Sequence, residues 1–526
     1  MKPSQSSDKY PPLRPGAVVD PAEAATLSAD VVIIGSGMGG GTLAWALAGT
    51  GLEVLLVERG RFLPREPENS QPEQMFIHHR YQTAEPWIDG FTGRPFQPGN
   101  YYWVGGNTKM YGACLPRFRR SDFQEVQHHD GTSPAWPITY DELEPFYGQA
   151  EHLYQVHGRL GEDPTEPPHS TDYPNVALEH EPVIERFAAS LRAQGLHPFH
   201  MSNGMNLDTI EQRRAATTAD GSPSESDVKS DAENRAIRPA LQHQNVRILT
   251  ETEIVRLETD PTGRRVTAAL GRRHGKSIRI HAKQFSVSAG AVNSSVLLLN
   301  SATSQHPNGL GNSSELLGRN YMVHNSTFFI GINPVRRNDT AWQKTLGIND
   351  WYEAGPQTPY PLGNVQMLGK LQGAHFKAAR SWAPMWALNM VGRHSVDLYL
   401  TTEDLPRTHN RVRIVNGRTV IDWSPNNLEP HGDLVRRLTR AVRRAGYPIV
   451  LTERMGIQTN SHQCGTAVAG TDPARSVLNP QCRTHDVDNL WVVDSAFFSS
   501  SAAVNPALTI AANALHVAPH IAAAAN

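Results

Sequence analysis

Two polar residues near the C-terminus could act together on a proton. His462 lies in the sequence SHQCGT, and Asn505 opens the sequence NPALT. A free imidazole has a pKa of about 6.5, so a neutral histidine can accept a proton at pH 7. Asparagine cannot take a proton, and its amide can only hold a hydroxyl by hydrogen bonding. The chain has 23 histidines, and a lone histidine is more often structural, so the pair needs support from the elements that position it.

A glycine turn near the N-terminus is the first of these elements. Two apolar runs, Val31–Ile34 and Val54–Val57, have the composition of buried parallel strands. The turn after the first run has the spacing G-x-G-x-x-G, formed by Gly35, Gly37 and Gly40. Such glycines make the turn, admit a diphosphate and let the helix pack on the strand. Glu58 ends the second run, where it would accept ribose hydroxyls and repel a 2′-phosphate. A dinucleotide site that disfavours NADP is predicted, with an ordinary βαβ turn as the alternative.

Composition excludes several other classes of protein. Lys and Arg total 49 against 51 for Asp and Glu, so the net charge is −2 and no nucleic-acid partner is predicted. The three cysteines have no C-x-x-C spacing, and neither a disulfide framework nor a metal site is predicted. The N-terminus is polar and proline-rich, and no stretch has about 18 uninterrupted apolar residues. We therefore predict a cytoplasmic location and no membrane partner.

A second glycine-rich stretch, residues 100–117, could hold a flat ligand. Gly105-Gly106 and Gly112-Ala113 bracket small and polar residues there. Glycine lets a planar group lie directly against the backbone, because no Cβ intervenes. A glycine-rich surface loop is the alternative.

The rest of the chain predicts both parallel and antiparallel strands. Alternating runs predict an antiparallel meander at 245–249, 253–257, 266–270 and 278–280. The parallel pattern returns at Phe285–Val287, before Ala289-Gly290, and again at Leu490–Val493, before Asp494. Residues 159–230, rich in Pro, Ser, Thr and charges, are either a lid over a site or a surface insertion. Four tryptophans between 326 and 440 predict either an antiparallel sheet that walls a pocket or an aromatic core.

These motifs together resemble the glucose-methanol-choline (GMC) oxidoreductases. The resemblance covers about Ala29 to Ile521 and is most specific in the glycine turn and in the sequences around His462 and Asn505. It implies FAD as the cofactor, bound non-covalently because the loop at 100–117 has no histidine for attachment. The implied FAD contacts are Gly35, Gly37, Gly40, Glu58, Gly106, Asn107, Thr108, Tyr111, Gly112, Val255, Ala289, Gly290, Asp494, Ser495, Asn505, Pro506 and Thr509.

Within the family, the asparagine at the second catalytic position and the loop sequence VGGNTKMYGA are most similar to pyranose oxidases, glycoside 3-oxidases and sugar 3-dehydrogenases. This resemblance implies oxidation of a secondary hydroxyl, at C3 or C2 of a pyranose sugar or glycoside. His462 would be the base, Asn505 would hold the hydroxyl, and the hydride would pass to the flavin. Dioxygen or another acceptor would take the electrons. The alternatives are an alcohol or choline-type dehydrogenase, a hydroxynitrile-lyase-like flavoprotein and a non-catalytic flavin-bound partner; the oligomeric state stays open.

The implied fold class is α/β, with a Rossmann-like FAD-binding domain on a parallel sheet and a substrate domain on an antiparallel sheet. Helices are predicted from Thr139 and over Pro182–Gln194. The predicted segments are an extended N-terminal arm (1–28), the first part of the FAD-binding domain (29–158), an insertion, lid or arm (159–230), the second part of the FAD-binding domain (231–325), the substrate-binding domain (326–440) and the third part of the FAD-binding domain with the catalytic pair (441–526).

Overall fold

The structure is a computed structural model that describes residues 11–19, 26–224, 226–356, 358–459 and 462–526. Much of the predicted N-terminal arm, residues 1–10 and 20–25, lies outside the described residues, as does Ser461 of the histidine motif. The described part of the arm packs onto the fold. Ala17 and Val19 are buried, and the Val19 N–H donates to the Ile248 carbonyl at 2.9 Å.

The strands are β1 (Thr26–Ile34), β2 (Val54–Val57), β3 (Trp87–Asp89), β4 (Pro95–Phe96), β5 (Val126–His128), β6 (Gly131–Ser133), β7 (His157–Gly158), β8 (Asn175–Val176), β9 (Pro198–His200), β10 (Val246–Leu249), β11 (Glu253–Thr259), β12 (Val266–Arg273), β13 (Lys276–Val287), β14 (His324–Ile332), β15 (Leu346–Ile348), β16 (Asn364–Met367), β17 (Ser395–Glu403), β18 (Arg411–Val415), β19 (Arg418–Asp422), β20 (Ile449–Arg454) and β21 (Leu490–Val492). The helices are α1 (Met38–Ala46), α2 (Pro72–Phe76), α3 (Tyr140–Leu153), α4 (Pro182–Arg192), α5 (Ile210–Ala216), α6 (Arg238–Ala240), α7 (Ala291–Asn300), α8 (Gly373–Ala379), α9 (Met385–Arg393), α10 (Leu428–Arg444) and α11 (Ala507–Ala525).

One sheet, the mixed sheet, has the strand order β10-β2-β1-β13-β12-β11, with β21 beside the end of β13. Its centre is parallel, and Val31–Ile34 of β1 and all four residues of β2 are buried there, as expected for parallel strands covered on both faces. The first run of the predicted antiparallel meander, residues 245–249, does not belong to the meander. β10 instead pairs parallel with β2, because the Asn245 side chain donates to the Leu47 and Leu52 carbonyls and holds the start of β10 beside β2.

The other three runs form the predicted antiparallel meander, with β11, β12 and β13 as neighbours. The separate strands predicted at 278–280 and 285–287 are one continuous strand, β13. Its register with β1 runs from Arg279 to Val287, opposite Thr26 to Ile34, so the backbone between the two apolar runs is also hydrogen-bonded. Only the first half of β13 pairs with β12, and β21 takes the place of β12 beside the second half.

Helices α1 and α11 pack against each other on the mixed sheet. A Cβ at Gly39 would lie 1.9 Å from the Val493 carbonyl oxygen, so this glycine permits the close approach of α1 to the end of β21. Among the described residues, α11 is the helix with the length and apolarity of a membrane span, yet it packs against α1 and α3 and most of its apolar face is buried. The three cysteines are free and buried.

The second sheet, the antiparallel sheet, has the order β20-β14-β17-β16-β15-β9. Helices α4 and α10 cover one face through an apolar core that includes Phe187, Leu434 and Phe329. The predicted limits of 326–440 are too narrow for this sheet. It also takes β9 from the predicted insertion and β20 from the predicted C-terminal segment, because backbone pairing across the sheet is set by tertiary packing and not by chain order.

The tryptophans of this region do not share one role. Trp342 and Trp351 are buried in separate apolar clusters, whereas Trp382 and Trp386 are 81% and 73% exposed. The exposed pair lies in and next to α9, where no strand forms. The predicted helix from Thr139 is present as α3, with a reciprocal cap between Thr139 and Glu142.

Candidate active site

A cavity of about 1140 Å³ is lined by residues of both sheets. Drug-sized ligands occupy pockets of roughly 300–1,000 Å³, so this one can hold a large cofactor together with a small substrate. Of the residues predicted for the site, all except Gly40 and Thr509 line this cavity. The structure therefore brings together residues from four separate parts of the chain.

The glycine turn after β1 forms one end of the cavity. Gly35 has a φ of 102°, and a Cβ there would lie 2.4 Å from the Ser288 carbonyl oxygen. A Cβ on Gly40 would lie 1.9 Å from the Gly35 carbonyl oxygen, so Gly40 serves the packing of α1 onto the turn. Gly37 differs, because no atom lies within 4 Å of the place of its Cβ, and it lines the cavity. The open space lies at the N-terminus of α1, which suits a diphosphate.

Glu58 has a structural task besides the predicted contact with ribose. Its carboxylate accepts hydrogen bonds from the backbone N–H groups of Ser36 at 3.0 Å and Gly60 at 2.8 Å, and from the Ser36 hydroxyl at 2.6 Å. Burial raises the pKa of Glu58, although these three donors oppose the shift. Glu58 thus ties the end of β2 to the glycine turn while it lines the cavity.

The predicted flavin loop is held by its own side chains. Asn107 Oδ1 accepts the Tyr101 N–H at 3.0 Å, and the Thr108 hydroxyl donates to the Gly105 carbonyl at 2.6 Å. The Tyr111 hydroxyl donates to the Ser230 carbonyl. All of the predicted loop residues still line the cavity, so backbone and side-chain atoms of the loop face the same space.

Sequence reasoning missed the buried charges that anchor this loop. The Lys109 ammonium lies 2.9 Å from Asp231 Oδ2 and 2.8 Å from Glu233 Oε2. The Lys229 ammonium donates to the Tyr111 carbonyl at 2.8 Å, and burial lowers its pKa to about 7. The sequence signal was the alternation of charges in Lys229-Ser-Asp-Ala-Glu233, which a surface segment would also show.

A further wall of the cavity is built where β13 and β21 end. Asp494 follows β21, and its carboxylate accepts the Gly290 N–H at 2.9 Å, the Ala496 N–H at 2.8 Å and the Ser294 hydroxyl. These bonds fix the turn at Ala289-Gly290 beside the cavity. Val255 and Ser495 line the same space.

The two candidate catalytic residues each have a buried polar partner. His462 Nδ1 lies 3.0 Å from Nδ1 of His324, which is 1% exposed. Asn505 Oδ1 accepts a hydrogen bond from Gln366 Nε2 at 2.8 Å. The Asn505 oxygen is thereby engaged, so the amide would address a ligand through its N–H groups. The chain sequence around His324 and Gln366 gives no local sign of either contact.

The start of α11 corrects two predictions. The sequence NPALT predicts a helix with Pro506 at its first position, which proline favours, but α11 begins at Ala507 and Pro506 precedes it. Thr509 does not line the cavity. Its hydroxyl shares a hydrogen bond of 2.7 Å with the Tyr147 hydroxyl of α3, because the first turn of α11 presents this face to α3.

Comparison with protein families identifies the family of this chain. The family description "GMC oxidoreductase" matches residues 101–326 with its N-terminal part and residues 421–514 with its C-terminal part. The chain belongs to the GMC oxidoreductase family. The predicted family and fold class are thereby confirmed, and the protein is an oxidoreductase that acts on CH–OH groups with FAD as its cofactor. The open glycine turn and the long cavity fit this cofactor.

The GMC assignment agrees with full-length relatives. The chain is 30% identical to 6'''-hydroxyparomomycin C oxidase of Streptomyces lividus, over 94% of this chain and 92% of that protein. It is 29% identical to paromamine 6'-oxidase of Streptomyces fradiae, over 94% and 91%. It is 27% identical to the fructose dehydrogenase large subunit of Gluconobacter japonicus, over 94% and 98%.

Solved structures agree on the fold. Pyridoxine 4-oxidase from Mesorbium loti superimposes with a TM-score of 0.63 at 18% identity, covering 93% of this chain and 98% of that one. Formate oxidase of Aspergillus oryzae superimposes with a TM-score of 0.66 at 14% identity, covering 94% and 98%. At these identities the likeness concerns the fold alone.

The FAD of this GMC protein is predicted to be released by acid. The loop from Gly105 to Pro116 has no histidine, and burial raises the pKa of the Cys114 thiol to about 12, which leaves it protonated and inert. The measurement is acid precipitation of the purified yellow protein, followed by the absorbance of supernatant and pellet. Flavin that stays with the pellet after washing would contradict the prediction.

Protonation of His462 should lower the activity only on the acid side of pH 6.5. Burial lowers the pKa of His462 well below 6.5, and the neighbouring His324 and the charge of Lys344 act in the same direction. The unprotonated base therefore predominates at pH 6.5 and above. We expect a constant rate of flavin reduction from pH 6.5 through neutral pH and a fall below it, measured by stopped-flow absorbance. A midpoint of the acid limb above pH 6.5 would contradict the role of His462 as a buried base.

Proposed function

We propose that this GMC oxidoreductase oxidises a secondary hydroxyl of a pyranose sugar or glycoside, at C3 or C2, to the keto sugar. The observation that carries the proposal is a buried ion pair on the cavity wall. Lys344 Nζ lies 3.1 Å from Asp220 Oδ2 and 3.3 Å from Asp220 Oδ1, and both residues line the cavity. A charged donor beside a charged acceptor can hold neighbouring hydroxyls, which a sugar offers and a simple alcohol does not.

This ion pair lies against the predicted flavin loop. A Cβ on Gly112 would lie 2.1 Å from Asp220 Oδ1 and 2.3 Å from Lys344 Nζ, so a larger residue there would displace the ends of both side chains. The Gly369 N–H donates to Asp220 Oδ2 at 2.7 Å and fixes the carboxylate from the other side. A sugar held by this pair would thus lie next to the loop that is predicted to cover the flavin.

The residues supply the proton chemistry of the proposed reaction. His462 takes the hydroxyl proton, and the Asn505 amide holds the same oxygen while the C–H bond breaks. FAD, when bound, takes up the hydride. Lys344 is close enough to lower the pKa of His462, so its positive charge also acts on the oxygen that becomes negative as the proton leaves.

The comparison with known proteins also supports a sugar substrate. Relatives whose names give fructose and paromamine as substrates match along nearly the whole chain.

The test is anaerobic bleaching of the flavin band with a panel of compounds. The panel contains free sugars, O- and C-glycosides, choline and primary alcohols, and the product of any positive is identified by NMR as the 2-keto or 3-keto compound. We expect bleaching with sugars or glycosides only. Bleaching confined to choline or alcohols would replace the proposal with the dehydrogenase alternative, and no bleaching together with cyanohydrin cleavage would replace it with the lyase. Adding dioxygen or a dye to the reduced protein then distinguishes an oxidase from a dehydrogenase.

Replacing Lys344 tests the ion pair directly. Lys344→Met is expected to raise KM for the sugar by about 10- to 100-fold, the range for a lost hydrogen bond to a charged group, with a smaller change in kcat. Lys283→Met serves as the control, because it breaks another lysine–aspartate pair. Lys283 Nζ lies 3.0 Å from Asp30 Oδ1 on the mixed sheet. An unchanged KM in Lys344→Met, with FAD content intact, would show that the pair does not bind the substrate.

A further inference from the structure

A second histidine lies directly behind the candidate base. The rings of His324 and His462 meet edge to face, with centroids 4.9 Å apart and an interplanar angle of 73°. Their Nδ1 atoms are 3.0 Å apart. His324 is at the start of β14 in the antiparallel sheet and is buried, so packing fixes its ring. None of the proton and hydride transfers of the proposed reaction involves His324.

A contact of His324 with the backbone fixes the direction of this hydrogen bond. Nε2 of His324 lies 3.0 Å from the carbonyl oxygen of Ser501. A carbonyl only accepts, so this nitrogen carries a hydrogen. Burial lowers the pKa of His324, and the ring is therefore neutral at neutral pH with Nδ1 as an acceptor. A hydrogen bond between the two Nδ1 atoms then requires the hydrogen to be on Nδ1 of His462.

We propose that His324 is a positioning residue that holds His462 in the tautomer protonated at Nδ1, so that Nε2 is the nitrogen that accepts the substrate proton. The inference rests on the proposed function, because it assigns the atom through which the proposed base acts. The proton moves from the substrate oxygen to Nε2 of His462, while the hydrogen on Nδ1 stays bonded to His324. In serine proteases an aspartate fixes the tautomer of the catalytic histidine in the same way.

The charges around the pair agree with this arrangement. Glu403, on β17 beside the start of β14, acts on His324 and favours its protonated form, although burial has the larger effect on its pKa. The Glu403 carboxylate also lies 3.2 Å from Nε2 of His128. Lys344 is the cation on the cavity side that acts on His462. The imidazolium formed on His462 would thus still donate its Nδ1 hydrogen to the neutral His324, with the Glu403 carboxylate nearby.

Two substitutions separate the acceptor from the packing. His324→Leu fills the space but removes the acceptor, and flavin reduction is expected to slow by about 10- to 100-fold, the range for a buried donor left unsatisfied. His324→Asn places an amide oxygen near the position of Nδ1 and is expected to recover most of the rate. His431→Leu is the matched control. This histidine is equally buried, between the Thr327 and Thr402 hydroxyls at 2.7 and 2.9 Å, and does not line the cavity.

The tautomer of His462 can be measured by NMR without substrate turnover. In protein labelled with ¹⁵N-histidine, the His462 resonances are those that vanish in His462→Ala. We expect Nδ1 of His462 to carry the hydrogen in the wild type, a mixture of tautomers in His324→Leu, and the wild-type pattern in His324→Asn. A hydrogen on Nε2 in the wild type would overturn the proposal even if His324→Leu failed to fold.

The outcomes also distinguish this inference from the proposed function. If His462→Ala reduced its flavin at the wild-type rate, the proposed function itself would fail. If His462 proved essential while His324→Leu kept both the rate and the tautomer, only the positioning role of His324 would be excluded. An equal slowing in His431→Leu would assign the effect to sheet packing and would overturn the proposal as well.

Discussion

Replacing His462 with alanine is expected to slow flavin reduction by about 10²- to 10⁴-fold, the usual contribution of a general base. The substitution removes the proposed proton acceptor, which lines the cavity, but none of the contacts that hold the glycine turn. FAD content should therefore stay at the wild-type level. The remaining rate of flavin reduction should also no longer fall at low pH, because the imidazole whose protonation causes that fall is absent. Stopped-flow reduction by a reactive sugar or glycoside, measured across a pH series, is the experiment.

The control for this prediction is His281→Ala. This histidine is on β13 and bonds the Thr267 carbonyl, far along the chain from the catalytic motif. A wild-type rate in His462→Ala, with a normal flavin spectrum, would mean that His462 is a packed structural histidine.

Asn505→Ala is expected to impair the reaction in a different way from His462→Ala. It removes a hydrogen bond to the substrate and leaves the Gln366 amide without its partner. Weaker substrate binding and a partial loss of rate should therefore appear together, with the acid limb retained. A loss of the acid limb in Asn505→Ala would contradict the division of roles between the two residues.

Replacing Gly37 with valine is expected to abolish FAD binding while the fold survives. Among the described residues no atom lies within 4 Å of the place of a Cβ at Gly37, so the valine side chain starts in open space, and it would stand where the diphosphate approaches the turn. We expect FAD affinity to fall by at least about 100-fold, which corresponds to ~3 kcal/mol. The measurements are flavin content after purification and titration of the apoprotein with FAD.

The matched control for Gly37→Val is Gly355→Val. The space for a Cβ is also open there, and the residue does not line the cavity. Without FAD, both variants should have the melting temperature of the wild-type apoprotein. When FAD is added, the melting temperature of Gly355→Val alone should rise. Normal FAD binding by Gly37→Val would show that the cofactor diphosphate lies elsewhere.

Much of the fold could be predicted because its signals are local. The first strand, the glycine turn, α1 and β2 follow one another within residues 26–57, and hydrophobic periodicity and glycine spacing are enough to identify them. The cap at Thr139 is likewise contained within four residues. The loop at 100–117 and the two C-terminal motifs carried the family resemblance, which the family comparison confirms.

The errors have a common physical origin in strand pairing. An alternating run predicts a strand but not its neighbour, so β10 was assigned to the meander although Asn245 holds it beside β2. The same limit applies to the antiparallel sheet, whose outer strands β9 and β20 come from outside the predicted domain. Thr509 was misassigned because a helix position does not reveal which neighbouring helix it faces.

The sequence by itself determined the family, and it predicted the glycine turn, the loop at 100–117 and the candidate pair as parts of the site. Only the tertiary structure decided which side chains support the chemistry. His324 lies 138 positions from His462, Gln366 lies 139 positions from Asn505, and Asp220 lies 124 positions from Lys344. Each contact depends on how the antiparallel sheet packs over the cavity, because burial and orientation of polar partners arise from sheet register and packing. No local pattern of residue types encodes these distances, so the support of the site becomes visible only when the chain is folded.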